Sequence, residues 1–325
     1  SYQAQMIEYS ERIAAIEQHL SQWEFPTEPK NLYDPLRYFI SIGGKRIRPL
    51  FTVLSAELYN IPIKESLPGA SALELFHNFT LIHDDIMDKA PVRRGLTTVH
   101  EKWDTNIAIL SGDVLMIHAF QALSSYNADT FKRLSIMLNQ TAIEVCIGQQ
   151  MDMDFEQIDT VTEADYIEMI RLKTSVLLGC ACAFGGIIGG ASESSIKSLY
   201  EFGEILGIAF QIQDDILDAF GDASKVGKQV GGDILSDKKT ILYTTFQSKA
   251  TDEDKAEFSR LSTASNDEKI TGIKALYEAS GVLGYCIKKQ QTYQERAMNQ
   301  LAEVECNQPK QNLFTLAEFI TNRSH

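Results

Sequence analysis

The stretch "LIHDDIMD" at 81–88 places Asp84, Asp85 and Asp88 at the end of an otherwise apolar run. On a helix, positions i and i+4 share a face, so Asp84 and Asp88 project together while Asp85 sits about 100° around. Carboxylates at the end of a buried stripe repel one another and need a compensating cation. An isolated DDxxD also occurs on solvated helix ends, but here the spacing recurs. "QIQDDILD" at 211–218 sets Asp214 and Asp218 on one face beside Asp215. Two hard-oxygen triads on central helices of one bundle could converge across a cavity and hold several Mg²⁺ ions, since magnesium prefers carboxylate, water and phosphate oxygens in octahedral geometry. A calcium EF-hand is the competing cation site, and it is disfavoured because neither triad has the loop glycine or the distal bidentate glutamate.

Cations cluster around the same stretches. "GGKRIRP" at 43–49 joins two glycines, which free the backbone for a tight turn, to Lys45, Arg46 and Arg48, and Pro49 suits the first turn of a helix. "VRRG" adds Arg93 and Arg94, "RLKTS" adds Lys173 and Thr174, and the segment 221–239 adds Lys228, Lys238 and Lys239. Guanidinium forks and ammonium point charges are what diphosphates require. For Lys225 and Lys239 a solvated surface position is the favoured reading. His83, His100 and His118 read as ordinary core or surface residues. His77 differs, because it lies about two turns before Asp84 and shares its face.

The elements that must position these groups are helical. "MIEYSERIAAIEQHL" repeats apolar residues at three- and four-residue steps, and similar stripes cover roughly 49–60, 66–90, 106–126, 130–152, 162–188, 192–220, 267–279 and 281–303. No run alternates as a strand would. The breaks at 24–31, 41–49, 155–162 and 221–239 are short, so the expectation is one all-α domain over 1–325. The stripes at 66–90 and 192–220 are apolar on much of their circumference, which places them centrally. With 325 residues and 44% hydrophobic content the chain can bury a large core. A net charge of −14 argues against a nucleic-acid partner. The five cysteines match no zinc or disulfide framework, and reduced thiols in a cytoplasmic protein are expected. The longest weakly polar run, 175–191, contains five glycines and lacks the flanks of a membrane span, so no transmembrane segment is expected. No convincing Ser/His/Asp or Cys/His set is present, so chemistry by position and electrostatics is favoured over a protein nucleophile.

In the order and spacing of "GGKRIRP", "DDIMDKAPVRRG", "AILSGD", "RLKTS", "FQIQDDILD" and "GKQVGGDILSDKKT", the chain resembles the trans-isoprenyl diphosphate (polyprenyl) synthases over nearly all of its length. The resemblance implies an all-α bundle around a deep central cavity, habitually a homodimer. It implies that Asp84, Asp88 and Asp214 coordinate three Mg²⁺ that clamp the diphosphate of an allylic substrate, with Asp85, Asp215 and Asp218 ligating or supporting them. Arg93, Lys173 and Lys228 would contact the same diphosphate, and Lys45, Arg48, His77 and Arg94 that of isopentenyl diphosphate. Thr174, Gln211 and Lys238 would line the reacting centre. An aromatic at Phe79, five residues before Asp84, with Thr80 beside it and an uninterrupted "DDIMD", is the family's pattern for a geranylgeranyl (C20) product. Farnesyl diphosphate (C15) is the alternative product. A class I terpene cyclase is disfavoured by the intact "GGKRIRP" and second DDxxD, and a non-catalytic subunit by the complete set of aspartates.

Overall fold

The computed structural model describes residues 2–222 and 230–322, so Lys225 and Lys228 lie outside the described residues. The chain opens with α1 (Tyr2–Met6), a 3-10 turn and α2 (Ser10–Ser21), then α3 (Lys30–Ile42), α4 (Ile47–Glu57) and the long α5 (Ile63–Met87). A hairpin of two-residue strands, β1 (Val92–Arg93) and β2 (Leu96–Thr97), follows. Next come α6 (Val99–Lys102), α7 (Thr105–Gln121), α8 (Ala128–Phe155), α9 (Glu163–Ile170), α10 (Val176–Ile188) and α11 (Glu193–Phe220). Beyond the undescribed segment are α12 (Gly232–Leu235), α13 (Ile241–Lys249), α14 (Asp252–Leu261), α15 (Asn266–Ala279), α16 (Val282–Ala302) and α17 (Gln311–Thr321). The chain is all-α, as its periodicity predicts.

Helix starts follow local side-chain chemistry. Asp104, Asn127, Thr162 and Ser192 each accept a hydrogen bond from a first-turn amide of the helix they precede, and Thr162 and Asp165 form a reciprocal capping box. Helices α3, α13, α14 and α17 were not among the predicted stripes. α14, "DEDKAEFSRL", buries only Leu261, so no apolar face advertises it.

Two apolar clusters form the core. Phe76, Phe79 and Ile82 of α5 belong to the first, with most of α10. α11 passes through both: Ile196, Leu199, Phe202 and Leu206 lie in the first, and Ile208, Ile212, Ile216 and Ala219 in the second. The two aspartate triads therefore hang on separate apolar frames that α11 joins.

The predicted helix at 162–188 is interrupted. Residues Arg171–Ser175 wind as a single π-helical turn between α9 and α10, a device that occurs often at functional sites. It carries Lys173 and Thr174. Gly148 of α8 packs against this turn, and a Cβ there would stand 2.6 Å from Lys173 Cα.

Two stretches among the described residues, Thr105–Ser125 and Glu163–Ile188, are long and apolar enough to cross a membrane by length and composition. Core helices pass the same test, so these two do not by themselves indicate a membrane span. In the second, 83% of the apolar window is buried inside the protein, where it forms the wall between α4, α8 and α11. The first lays Ala108, Ser111, Gly112, Leu115 and Ala119 inward and leaves Ile109, Leu110 and Ile117 exposed. Cys180, Cys182 and Cys286 are buried, and all five cysteines are free thiols.

Candidate active site

Both aspartate triads occupy the last turns of central helices, α5 and α11. That is the negative end of each helix dipole, so the carbonyls add to the repulsion among the side chains. The chain offsets part of this charge itself. Asp85 is buried and takes a two-pronged contact from Arg93, with Nη2 to Oδ1 at 2.7 Å and Nε to Oδ2 at 2.9 Å. Asp215, also buried, accepts from the Tyr166 hydroxyl, from Gln211 Nε2 at 3.2 Å and from the Ile241 amide at 3.1 Å. Asp218 accepts the Asp233 amide at 2.8 Å. These three outer carboxylates are held by fixed donors, an arrangement suited to support.

Asp84 lies half-buried in a cavity of about 300 Å³, with Arg48, His77, Phe79, Lys173 and Thr174 among its walls. Burial pushes its carboxyl up to about 6, with Lys173 and Arg93 opposing and Asp88 and Asp85 reinforcing. Asp215 is likewise pushed up to about 6 by burial, against the nearby Lys238 and the Tyr166 hydrogen bond. Asp88 caps α5 and is exposed. Among the described residues no three acidic, histidine or cysteine side chains converge closely enough to hold a metal alone. The all-oxygen donors nevertheless fit magnesium, which keeps waters and substrate phosphate oxygens in its shell and does not require a protein-only cage.

The predicted cations fall into two groups. Lys173 Nζ sits 2.6 Å from Asp152 Oδ2, and its neighbour Thr174 donates to the Ile170 carbonyl at 2.7 Å. The Lys238 ammonium is raised above its ordinary value: desolvation opposes this, but Asp215, Asp233, Asp152 and Asp218 outweigh it. Lys239 donates to the Phe155 carbonyl at 2.7 Å instead of being solvated. The second group surrounds a cavity of about 160 Å³ lined by Lys45, Arg46, Arg48, Glu74, His77 and Arg94 among others. Arg48 and His77 line both cavities, so the two adjoin.

Arg48 Nη1 lies 3.3 Å from His77 Nε2. A guanidinium can only donate, so this nitrogen accepts and the proton resides on Nδ1. Burial and the charges of Arg48, Arg94, Arg93 and Arg46 depress His77 well below its ordinary value, leaving a neutral ring that binds by hydrogen bonding. Arg48 Nε is buried and, among the described residues, has no hydrogen-bond partner. A buried, unsatisfied guanidinium N–H costs free energy until an acceptor arrives. Arg94 Nη1 donates to the Gly43 carbonyl.

Phe79 is buried in the cavity wall, its ring 5.5 Å from that of Phe76 and 4.9 Å from that of His83. His83 also lines this cavity and approaches the Ile109 carbonyl at 2.9 Å, which a plain core or surface reading does not anticipate. His118 stacks among Trp23, Phe25 and Tyr33, an ordinary packing role.

Sequence reasoning missed Asp152, Tyr166, Asp233 and Glu74. Glu74 was the legible one, since it sets a carboxylate into a largely apolar helical run, whereas Asp152 lies among Gln149, Gln150 and Asp154. Tyr166 carries no such signal.

The raised Asp84 carboxyl has a measurable consequence. The folded chain favours the neutral acid, so that stability is fullest below the ordinary carboxylate value and is lost as pH rises through about 6. In metal-free buffer, Asp84→Asn should unfold at higher urea than the wild type at pH 7.5, with the difference shrinking towards pH 4. A difference of equal size at both pH values contradicts the burial of that charge.

The polyprenyl synthetase family model matches residues 29–280. A geranylgeranyl pyrophosphate synthase from Geoglobus acetivorans is 39% identical over 301 residues, 92% of each chain. A geranylfarnesyl diphosphate synthase from Natronomonas pharaonis is 31% identical and covers 97% of both chains. The crystal structure of the geranylgeranyl pyrophosphate synthetase from Pyrococcus horikoshii superimposes with a TM-score of 0.92 at 35% identity over 99% of each chain. Two aspartate-bearing helix ends and two adjoining cavities, one of them cationic, thus occur in a chain whose sequence and fold both match one family: this protein belongs to the polyprenyl synthetases and is a trans-prenyltransferase.

Proposed function

We propose that the chain, as a single polyprenyl synthase domain, condenses isopentenyl diphosphate with an allylic diphosphate and releases geranylgeranyl diphosphate. The observation that carries this reading is the pair of adjoining cavities, a cationic one lined by Lys45, Arg46, Arg48 and Arg94 and a largely apolar one bordered by Asp84 and Lys173. Lys45, Arg48, His77 and Arg94 hold the diphosphate of isopentenyl diphosphate, with the unsatisfied Arg48 Nε gaining its acceptor on binding. Arg93 and Lys173 face the allylic diphosphate, and Lys228, outside the described residues, joins them by family resemblance alone. Asp84, Asp88 and Asp214 present the oxygens that would hold Mg²⁺, while Asp85, Asp215 and Asp218 support them. Bound magnesium supplies the positive charge that makes diphosphate a leaving group. The chain's own part is to hold the alkene against the allylic carbon as its C–O bond ionises, with Thr174, Gln211 and Lys238 at the reacting centre, and to exclude water from the carbocation. The proton lost on elongation goes to the departing diphosphate, so no protein nucleophile is needed.

Product length follows from the axis of α5. The growing tail runs from Asp84 towards Phe79, five residues or about 7.5 Å along the helix. The ring, backed by Phe76 and His83, forms a floor. Thr80 beside it is small and turns its hydroxyl to the His77 carbonyl at 2.6 Å. The relatives named as geranylgeranyl synthases agree with this, and the geranylfarnesyl relative marks a product one unit longer as the nearest competitor.

A homodimer is part of the same reading. Ile136, Ile143 and Ile147 of α8 are exposed at one-face helical spacing, as are Ile109, Leu110 and Ile117 of α7, and such stripes on a single chain call for a partner. Light scattering should return twice the chain mass of 36.4 kDa; a single-chain mass at micromolar concentration would refute the dimer.

Labelled isopentenyl diphosphate and an allylic primer, followed by chromatography of dephosphorylated products, test the activity. Geranylgeraniol is expected, whereas cyclic hydrocarbons or no product would overturn the reading. Asp84→Ala or Asp214→Ala should retain helical circular dichroism and lose at least tenfold in kcat, about 1.4 kcal/mol of barrier. Phe79→Ala should remain active and shift products to longer chains. If Phe79 were only packing, its loss would cost about 3–5 kcal/mol of stability and leave chain length unchanged.

A further inference from the structure

Arg46 sits in the middle of the cationic loop "GGKRIRP", yet its guanidinium is already fully engaged. Its side chain is 1% exposed, and its nitrogens reach Glu17 of α2 at 2.5 Å, Glu74 of α5 at 3.2 Å and the Ile40 carbonyl at the end of α3 at 3.0 Å. Glu74 is itself buried and lines the cavity assigned to isopentenyl diphosphate. A carboxylate in an anion pocket repels the ligand, and a buried ion pair is poor at adding stability by itself. Its retention there needs another reason.

The loop supplies one. Gly43 has φ +84° and Gly44 lies flat beneath Arg94, where a Cβ would stand 2.9 Å from Nη1. Neither glycine can fix the loop by its side chain. Arg46 adopts the left-handed region, φ +54°, an uncommon conformation for a side-chain-bearing residue. It turns inward while Lys45 remains on the exposed side and Arg48 faces His77. One guanidinium thereby ties the loop to three helices.

We infer that Arg46 and Glu74 are positioning residues of the isopentenyl diphosphate pocket: Glu74 holds Arg46, Arg46 holds the loop that presents Lys45 and Arg48, and the pair cancels the one carboxylate facing the bound anion. The inference rests on the pocket assignment made above and adds to it a role for two residues that do not touch substrate.

Steady-state kinetics with both substrates varied tests it, with Lys45→Ala as the pocket reference. Glu74→Gln, nearly isosteric, should raise KM for isopentenyl diphosphate by roughly five- to twentyfold while kcat and the allylic KM move less than about twofold. Arg46→Gln, which leaves Glu74 uncompensated in the pocket, should be worse, and the double variant Arg46→Gln/Glu74→Gln should recover part of that loss. A merely structural pair would lower the melting temperature and leave the two KM values in their original ratio. If Arg46→Gln fails to fold, Glu74→Gln with Arg46→Lys, which keeps the charge but loses the fork, decides the matter by the same KM split. An unchanged KM for isopentenyl diphosphate in folded Glu74→Gln, with Lys45→Ala still impaired, overturns the positioning role alone. An unchanged KM in Lys45→Ala as well overturns the pocket assignment and the positioning role with it.

Discussion

Negative charge gathered at the C-terminal ends of two central helices is the constraint around which the molecule is arranged. α5 and α11 each end in three aspartates, against their own dipoles and in partly apolar surroundings. Such a pattern lowers the stability of the chain on its own and makes sense only where cations arrive. The fold resolves half of the problem internally. Asp85, Asp215 and Asp218 receive a guanidinium, a phenol, a carboxamide and two backbone amides. The rest shows in the raised carboxyls of Asp84 and, despite its donors, Asp215.

Cation placement follows from the same negative charge. Lys173 rests on Asp152, and four aspartates raise the Lys238 ammonium above its ordinary value, so both cations stand beside the aspartate helices. On the other side of the Arg48–His77 wall the guanidinia crowd one another, and burial, reinforced by the field they create, keeps His77 neutral. In the proposed reading, a neutral imidazole between the two diphosphate sites can donate a hydrogen bond without tilting the balance of charge towards either diphosphate. The two like-charged substrates would then lie side by side with their reacting carbons, not their diphosphates, in contact.

Much of this was legible in the chain. Repeated DDxxD spacing placed both triads, and a two-turn offset placed His77 beside Asp84, because helical periodicity converts sequence distance into direction. Helices with polar faces all round, such as α14, carried no such signal, and the π-helical turn at 171–175, which packs against Gly148, is announced by no local preference. The loop "GGKRIRP" shows the limit most clearly. Three cations in four residues look alike in sequence. Only tertiary contacts from α2 and α5 divert Arg46 into a carboxylate clamp and leave Arg48 with an unsatisfied donor. In the same way, pairing of Lys173 with a residue 21 positions away depends on how α8 crosses the π turn.

Apolar helices pose the complementary ambiguity, since length and hydropathy do not distinguish a membrane span from a core wall. α10 is buried from Val176 through Ile187, so its apolar circumference is consumed by neighbouring helices within the chain. α7 is different: its small inward residues let it lie close against α5, and Gly112 accommodates the His83 ring that in turn abuts Phe79. The outward isoleucines of α7 thus back the same helix whose inner face carries the aspartates and the cavity floor. Whatever covers that outer face restrains α5 from behind, which couples the proposed subunit contact to the two distances that matter most in the cavity, from Asp84 to its diphosphate and from Asp84 to Phe79.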